Sequence, residues 1–295
     1  MENKKNFLQK NTKPTNNLID YNFSVFIPTY YKEKAENLKV ALDSIINQTL
    51  IPNEILIIED GPLTKELDNV IEYYQKNFSN LINIIKLEKN IGIGKVRALG
   101  IEKSKYELIA FMDSDDISRK DRFEKQIDFM KKNPNIDVIG SFITEFDKNP
   151  EDIYAQRILP TTHNEIYNWG KFRMPVNNNT VLLKKSSVIE AGSYQMSDAC
   201  EDYELFGRML YKGYKFANIP EPLVNMRAGS EMMKRRKGIG YFVAHELPCM
   251  NKFKEIGYIN TIEYLRNIFL KFLLRVIPNW LRNFIYIEFL RKKIK

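Results

Sequence analysis

An acidic run at residues 113–116 (DSDD) directly follows the apolar segment LIAFM at residues 108–112. Its carboxylates repel one another, so holding them together is costly unless a cation neutralises the charge. Mg²⁺ and Mn²⁺ prefer oxygen ligands and are commonly held by one or two carboxylates together with substrate phosphates. The run therefore indicates a divalent-metal site, and the alternative is an acidic turn that caps a following helix.

Two other apolar segments end in polar groups of the kind that contact a nucleotide. Residues 54–58 (EILII) lead into Asp60, whose carboxylate can accept hydrogen bonds from a nucleobase or a ribose, although an Asp before a glycine is also an ordinary turn. Residues 23–28 (FSVFIP) are followed by Thr29 and Tyr30. The ring of Tyr30 can stack beside a base, or the pair can simply end the strand.

Charged groups also mark the starts of two predicted helices. Residues 90–95 (NIGIGK) and Arg97 place backbone N–H groups and a guanidinium where an anion can bind. Val96 stands where a P-loop needs Ser or Thr, which argues against a P-loop ATPase. At the second start, Glu201 and Asp202 are either N-terminal helix charges or, for Asp202, a general base, and the spacing alone leaves both roles open.

The segments that position these groups alternate between short strands and longer helices. Strands are predicted at residues 23–28, 54–58, 82–87 and 108–112, and helices at residues 35–48, 64–78, 94–104 and 119–132. This alternation indicates an α/β fold with a parallel sheet covered on both faces, whose ligands bind beyond the carboxyl ends of the strands. In the less regular second half we predict a strand at residues 215–219 and helices at residues 202–213, 231–253 and 261–295, the last broken by Pro278.

The composition of the 295 residues limits the chemistry further. Two cysteines, Cys200 and Cys249, and two histidines, His163 and His245, show no zinc-ligand spacing, which argues against zinc sites, disulfide frameworks and Ser-His-Asp catalysis. The net charge is +8, and residues 261–295 hold eight Lys or Arg against two Asp or Glu, so the excess is local. There is no apolar run of about 18 residues and no signal peptide at the polar N-terminus, so we expect a cytoplasmic location.

Taken together, these motifs resemble the inverting glycosyltransferases of family 2, which have the GT-A fold. SVFIPTY, DSIINQTLIPNEILIIEDG, NIGIGKVRALGI, YELIAFMDSDD and EDYELFGRM occur in the order and approximate spacing of that family, over about residues 22–230. The set is most similar to bacterial enzymes that extend surface polysaccharides such as O-antigen or capsule. The resemblance implies a mainly parallel nucleotide-binding sheet flanked by helices, a nucleotide-sugar donor that is usually a UDP-sugar, and Mg²⁺ or Mn²⁺ as the cofactor.

The same resemblance implies roles for individual residues. The donor-binding residues would be Pro28, Thr29, Tyr30, Glu33, Asp60, Arg97, Asp113 and Ser114. The metal ligands would be Asp113 and Asp115, the two acids of the D-x-D motif, with Asp116 as a neighbour of less certain duty. The general base that takes a proton from the acceptor hydroxyl would be Asp202, and the acceptor-side residues would be Glu201, Asn178 and Asn179.

Two features differ from many relatives. Where relatives carry a His that assists the metal or the diphosphate, this chain reads NMRAGS, so Arg227 is expected to contact the diphosphate instead. The basic run at residues 234–237 (KRRK) is either a flexible clamp on that anion or an exposed helix face. The Q-x-x-R-W signature of processive synthases is absent, which favours addition of one sugar over polymerisation.

The basic C-terminal segment is predicted to be an amphipathic helical tail. Its cationic residues Lys271, Arg275 and Arg282 share one face, opposite Leu265, Phe269, Leu273, Ile277 and Trp280. Such a helix can lie in the interface of an anionic membrane, or it can pack its apolar face on the domain with the charges outward. A polyprenyl-diphosphate-linked saccharide acceptor would suit the first arrangement, with the protein peripheral on the inner leaflet of the cell membrane.

We therefore expect a loose segment at residues 1–20, a GT-A domain at residues 21–255 and a membrane-associating tail at residues 256–295. Two other functions compete with sugar transfer. A nucleotidyltransferase acting on a sugar phosphate would use a similar sheet and similar acids but would release pyrophosphate. A nucleic-acid-binding protein that uses the basic tail fits poorly because the charge lies on an apolar amphipathic segment, so no nucleic-acid partner is expected.

Overall fold

Strands and helices alternate along residues 21–196, 200–228, 238–278, 281 and 291–293, the part of the chain that the structure, a computed structural model, describes. The strands are β1 (Phe23–Thr29), β2 (Glu54–Glu59), β3 (Ile82–Lys86), β4 (Leu108–Phe111), β5 (Ile117–Ser118), β6 (Val138–Phe146), β7 (Ile153–Arg157), β8 (Leu182–Lys184), β9 (Phe216–Arg227) and β10 (Lys292–Lys293). The helices are α1 (Ala35–Ile46), α2 (Lys65–Asn77), α3 (Ile93–Lys103), α4 (Arg122–Lys132), α5 (His163–Gly170), α6 (Lys185–Ala191), α7 (Glu201–Tyr211), α8 (Gly238–Tyr241), α9 (Leu247–Ile256) and α10 (Thr261–Val276). A 3₁₀ turn, Asn178–Thr180, precedes β8, and a π-helical segment, Phe242–Glu246, joins α8 to α9.

The strands form a mixed sheet in the order β10-β7-β6-β8-β4-β1-β2-β3, and β9 pairs with β6 and β5. The strands β4, β1, β2 and β3 are all parallel, with Val25 opposite Ile55 on one side and Ala110 on the other. β8 runs antiparallel between β4 and β6, and β9 is parallel to β6. The carboxyl ends of the parallel strands therefore meet at one edge, where the candidate residues were predicted.

The parallel strands β1, β2 and β4 are mainly apolar because both faces of the sheet are covered there. Along β1, Val25 and Ile27 belong to a core that includes residues of α1 and α2, whereas Phe26 belongs to a core that includes residues of α3 and α7. Side chains alternate between the two faces of a strand, so a continuous apolar run serves both cores. Each fully buried side chain of this size contributes about 1.5–3 kcal/mol to folding.

The predicted elements of the first half are confirmed within a few residues, but the second half contains elements that the sequence did not reveal. β6, β7 and α5 were not predicted, and β9 continues to Arg227 instead of ending at residue 219. Every residue of β6 is buried, including the polar Ser141 and Glu145, because β6 is covered on both faces. The polar residues and a glycine interrupt the apolar pattern that would have identified it.

The C-terminal segment is not one long helix. α10 ends at Val276, before Pro278, and Lys292–Lys293 pairs antiparallel with β7. The Arg291 guanidinium lies 2.6 Å from the carboxylate of Glu145. No helix within the described ranges is both long enough and apolar enough to cross a bilayer. The predictions at residues 1–20 and 234–237 and at Trp280 and Arg282 lie outside the described residues.

The orientation of α10 contradicts one of the two arrangements predicted for the C-terminal amphipathic helix. Ile262, Leu265 and Phe269 are 80%, 61% and 64% exposed, whereas Arg275 faces inward and forms a 2.7 Å ion pair with Glu246. The buried amide of Asn267 donates a 2.8 Å hydrogen bond to the backbone oxygen of Lys171. The expectation that an apolar face packs inward with the charges outward is therefore wrong, because the inward face carries Asn267 and Arg275 beside the apolar Tyr264 and Ile268.

Candidate active site

Arg97, near the start of α3, connects acidic groups from two other places in the fold. Its guanidinium bonds to the carboxylates of Glu201 and Asp202 at the start of α7 and lies 3.8 Å from Asp113, just beyond β4. Burial opposes the charge of Arg97, but the neighbouring carboxylates outweigh burial and raise its pKa. The predicted donor-side arginine and the predicted base therefore belong to one network of ion pairs.

Asp202 has the properties of a proton acceptor that works near neutral pH. Burial, together with the negative charges of Glu201 and Asp113, raises its pKa to about 7, while the Arg97 cation opposes the rise. The hydroxyl of Tyr194 donates a hydrogen bond of 3.2 Å to the Asp202 carboxylate, which also favours the ionised form. A general base is most effective when its pKa lies near the working pH.

The acidic turn after β4 contains carboxylates in different settings. Burial and then the charges of Asp113 and Glu33 raise the pKa of Asp115 to about 7. Asp116 is buried and accepts hydrogen bonds from the side-chain amide of Asn179 and from the backbone N–H of Arg227 at 2.8 Å. Asp116 therefore ties the turn to the loop before β8 and to the end of β9.

A buried arginine lies beneath this turn. Arg122, at the start of α4, is fully buried and donates a 2.7 Å hydrogen bond to the backbone oxygen of Phe111, the last residue of β4. Burial lowers its pKa to about 9, although the charges of Asp116 and Asp113 oppose the change. The guanidinium thus adds a fixed positive charge behind the acidic turn.

The ends of β1 and β2 provide the predicted nucleotide side. Asp60 is buried; its carboxylate accepts a 2.7 Å hydrogen bond from the backbone N–H of Ile91, and its own N–H donates to the oxygen of Thr29 at 2.8 Å. The buried Thr29 hydroxyl has no hydrogen-bond partner among the described residues. Gly61 has φ +89° and a Cβ there would lie 2.7 Å from a backbone nitrogen, so only glycine fits this turn.

Glu33 and Ser114 link the two halves of the predicted donor site. The Ser114 hydroxyl donates a 2.9 Å hydrogen bond to the Glu33 carboxylate, which is half-buried beside the acidic turn. Tyr30 lies at the end of β1, where its ring contacts that of Tyr31 edge-on. Pro28 lies within β1, opposite Ile58.

The predicted acceptor-side asparagines differ in their surroundings. Asn179 is engaged with Asp116, as described above. Both polar atoms of the Asn178 side chain are buried and lack a hydrogen-bond partner among the described residues. Arg227 stacks on the ring of Phe146 at 4.7 Å and donates to the backbone oxygen of Asp115 at 3.3 Å. Contacts of these residues with substrate stay predictions.

Two residues of this network were not predicted from the sequence. Tyr194, which bonds to Asp202, lies in a loop eight residues earlier and belongs to no motif. Arg122 opens α4, but its type gives no sign that it is buried under the acidic turn. A buried cation close to an acidic run could have been anticipated from charge balance alone, whereas the Tyr194 contact depends on the tertiary fold.

Comparisons with known proteins agree with this geometry. Residues 24–202 match the profile of the family described as Glycosyl transferase family 2. The chain is 36% identical over 266 residues to the amylovoran biosynthesis glycosyltransferase AmsE of Erwinia amylovora, which covers 90% of this chain and 97% of that protein. It is 35% identical over 270 residues to the UDP-Gal:alpha-D-GlcNAc-diphosphoundecaprenol beta-1,3-galactosyltransferase of Escherichia coli, covering 92% and 97%.

Solved structures of other proteins have a similar fold. TarS 1-349 of S. aureus, solved in complex with UDP-GlcNAc, matches with a TM-score of 0.62 at 17% identity, over 86% of this chain and 72% of that one. The likeness shows the GT-A fold that the motifs implied. The family match and the curated relatives favour sugar transfer over the competing functions of nucleotidyl transfer and nucleic-acid binding. The chain belongs to glycosyltransferase family 2 and is a glycosyltransferase with the GT-A fold.

Proposed function

We propose that this enzyme moves one sugar, with inversion, from a UDP-sugar to a lipid-linked saccharide acceptor in the synthesis of a bacterial surface polysaccharide such as O-antigen or capsule. The observation that carries the proposal is the ion-pair network in which Arg97 joins Asp113 of the acidic turn to Asp202 of α7. The names of the two curated relatives support a polysaccharide product and a diphospholipid-linked acceptor.

On the donor side, Asp60 and Thr29 offer hydrogen-bonding groups at the adjacent ends of β2 and β1. Thr29 contributes a buried hydroxyl without a partner among the described residues, which a nucleotide would satisfy. Arg97 would contact the diphosphate, because a guanidinium near a helix start, together with the free backbone N–H groups there, suits an anion. We assign the uracil and ribose to the Asp60 side, with Tyr30 beside the base.

The acidic turn fits a divalent cation. Asp115 has a pKa raised to about 7 by burial and by its acidic neighbours, and a cation would remove that penalty. No three Asp, Glu, His or Cys side chains converge as a complete ligand set in the described ranges, so Asp113 and Asp115 would share the ion with substrate phosphates. Bound Mg²⁺ or Mn²⁺ would supply positive charge for the departing UDP.

Asp202 would act on the acceptor. Its carboxylate takes the proton of the acceptor hydroxyl as that oxygen bonds to the anomeric carbon, and the bond from the anomeric carbon to UDP breaks on the opposite face. Tyr194 orients Asp202 through its hydrogen bond, and Glu201 shares the Arg97 cation. One displacement inverts the anomeric centre and needs no protein nucleophile. Asn178, whose amide lacks a partner in the described part of the chain, would bond to acceptor hydroxyls.

The exposed face of α10 supports binding to the membrane that holds such an acceptor. The large apolar side chains on this face recur every three or four residues, and they are Ile262, Leu265, Phe269, Phe272, Leu273 and Val276. An apolar stripe of this kind on a surface helix is typical of helices that lie in a bilayer interface. We propose that the enzyme is peripheral on the cytoplasmic leaflet and that α10 is its contact with the lipid.

Product analysis tests the proposed reaction. The enzyme, Mn²⁺ and a panel of UDP-sugars are incubated with a synthetic prenyl-diphosphate-linked N-acetylglucosamine, and the lipid product and the released nucleotide are analysed. The proposal expects stoichiometric UDP and a glycoside of inverted configuration. Retained configuration, or release of pyrophosphate, would contradict it.

Vesicle binding tests the membrane contact separately. Leu265→Glu and Phe269→Glu in α10 should abolish co-sedimentation with anionic vesicles, because each places a charge on the proposed lipid face. The exposed Ile189, on α6, provides the matched control, and Ile189→Glu should leave sedimentation unchanged. Equal sedimentation of all variants would rule out α10 as the contact.

A further inference from the structure

The inward face of α10 holds a lysine in an unusual environment. The ammonium of Lys271 lies 5.9 Å from the ring centre of Phe172 and 5.6 Å from that of Tyr203. Burial lowers its pKa, the charge of Glu246 opposes this change, and the charge of Arg173 reinforces it. In the described ranges no carboxylate lies within ion-pair distance of this ammonium.

The nearby carboxylates are already used by other cations. Glu246 forms its ion pair with Arg275 at 2.7 Å, and Glu263 pairs with Lys171 at 3.0 Å. Removing a cation from water is costly, and contact with aromatic faces offsets only part of that cost. The environment of Lys271 therefore favours a further anion.

A second cation lies near the same aromatic ring. The guanidinium of Arg266 is exposed and lies 5.9 Å from the ring centre of Phe172; its hydrogen bonds go to the uncharged side chain of Asn267. Lys271 and Arg266 thus present two positive charges around one ring. A guanidinium and an ammonium together suit a phosphate group.

The position of these cations relates them to the acceptor. Tyr203, whose ring contacts Lys271, directly follows the proposed base Asp202 in α7. On the other side, a groove of about 660 Å³ between α5 and α10 is lined by Pro160, Glu165, Asn168, Trp169, Phe172, Arg266 and Leu270. Its aromatic and aliphatic walls provide an apolar surface beside the two cations.

We propose that Lys271 and Arg266 form a subsite for the diphosphate that joins the acceptor sugar to its lipid, and that the groove holds the first part of the lipid chain. This inference rests on the proposed lipid-linked acceptor. The subsite would place the sugar between the diphosphate and Asp202, so that a short acceptor reaches the base. The same helix would then face the bilayer with its apolar side and the acceptor with its basic side.

Calorimetric titration with farnesyl diphosphate, and with farnesol as the uncharged probe, tests the subsite without requiring sugar transfer. Saturating UDP and Mn²⁺ are present throughout, so that the donor site cannot bind the probe. The wild-type enzyme should bind farnesyl diphosphate more tightly than farnesol. Lys271→Met should weaken the binding of farnesyl diphosphate by about 10-fold or more, the effect of losing one charged hydrogen bond. The affinity for farnesol should not change.

Two further variants keep the test independent of folding. Arg266→Met alters an exposed side chain and should weaken the binding of farnesyl diphosphate by about threefold or more. Lys184→Met removes a cation on β8 that bonds to the backbone oxygen of Pro134 and should leave the affinity unchanged. Unchanged affinity in both Lys271→Met and Arg266→Met, or an equal loss in Lys184→Met, would overturn the subsite.

The source of the phosphate is tested with vesicles. If Lys271→Met reduced sedimentation with phosphatidylglycerol vesicles while farnesyl diphosphate still bound normally, the cation would serve lipid headgroups and the inference would be wrong. An enzyme that binds farnesyl diphosphate through Lys271 yet transfers no sugar to any prenyl-linked acceptor would retain the subsite and refute the proposed reaction. The two failures are therefore distinguishable.

Discussion

Replacing Tyr194 with Phe should shift the pH dependence of sugar transfer without removing activity. The Tyr194 hydroxyl donates to the Asp202 carboxylate at 3.2 Å, which stabilises the ionised form and holds its pKa down. A hydrogen bond to a charged group contributes about 1.5–3 kcal/mol, and this one is longer than the usual ~2.8 Å, so we assign it about 1 kcal/mol. That energy corresponds to about 0.7 pH unit.

The direction of the shift follows from the role of Asp202. A general base works only when it is ionised, so the rate rises as the pH passes through its pKa, about 7 in the wild type. Tyr194→Phe should move this acid limb upward by about 0.7 pH unit. The rate at about pH 6.5 should fall about fourfold, and the rates at about pH 9 should nearly agree.

The assay is the pH profile of kcat/KM for the acceptor at saturating donor. Tyr258→Phe is the matched control, because the Tyr258 hydroxyl donates a 2.7 Å hydrogen bond to the backbone oxygen of Tyr167 and has no contact with Asp202. It should cost about 1 kcal/mol of unfolding free energy and leave the acid limb in place. An unmoved limb in Tyr194→Phe, or an equal loss of rate at every pH, would refute the assigned role of Asp202.

Three other changes should have measurable effects. Asp115→Asn should leave the metal-free enzyme as stable or more stable in a thermal melt, since it removes a buried charge beside Asp113 and Glu33. The same change should abolish the stabilisation of the enzyme by Mn²⁺. A stabilising effect of Mn²⁺ that persists in this variant would contradict the ligand role of Asp115. Because the pKa of Asp115 is raised from 3.8 to about 7, its contribution to metal-free stability falls as the pH rises through this range, so Mn²⁺ should raise Tm more at about pH 8 than at about pH 6. Gly207→Ala places a Cβ 2.2 Å from the ring of Phe253 and should cost about 1–3 kcal/mol in urea unfolding, whereas the open Gly240 should tolerate Ala.

The first half of the fold could be predicted because its pattern is local. In β1 and β2 an unbroken apolar run ends in a turn, and α1 and α2 show apolar residues at helical spacing, so each element is identified by its own residues. The edge that collects Asp60 and Asp113 then follows from the parallel order of the strands.

The second half depends on tertiary contacts that no local pattern records. β6 is buried along its length with Ser141 and Glu145 inside, and the charge of Glu145 is acceptable because Arg291, far along the chain, pairs with it. The orientation of α10 is a similar case. An amphipathic pattern fixes two faces but not which of them meets the domain, and here the inward Arg275 pairs with Glu246.

The candidate residues were predicted by type and position, but their partners were not. Sequence motifs implied Arg97 on the donor side and Asp202 as the base, and the structure joins them directly. Their contact involves residues about a hundred positions apart, so spacing could not reveal it. A similar distance in sequence separates Asp116 from the backbone N–H of Arg227, which fixes the acidic turn.

The most direct test of the account compares Asp202→Asn with the wild type in two measurements on the same preparation: transfer of sugar to the prenyl-diphosphate-linked acceptor, and the affinity for UDP with Mn²⁺. The account predicts that transfer falls by about 10²–10⁴-fold, the usual contribution of a general base. The Kd for UDP should stay within about threefold, a change of less than about 0.7 kcal/mol, because Arg97 keeps its contacts with Glu201 and Asp113 when Asp202 is replaced. Transfer at a rate close to that of the wild type would contradict the central claim that Asp202 removes the acceptor proton.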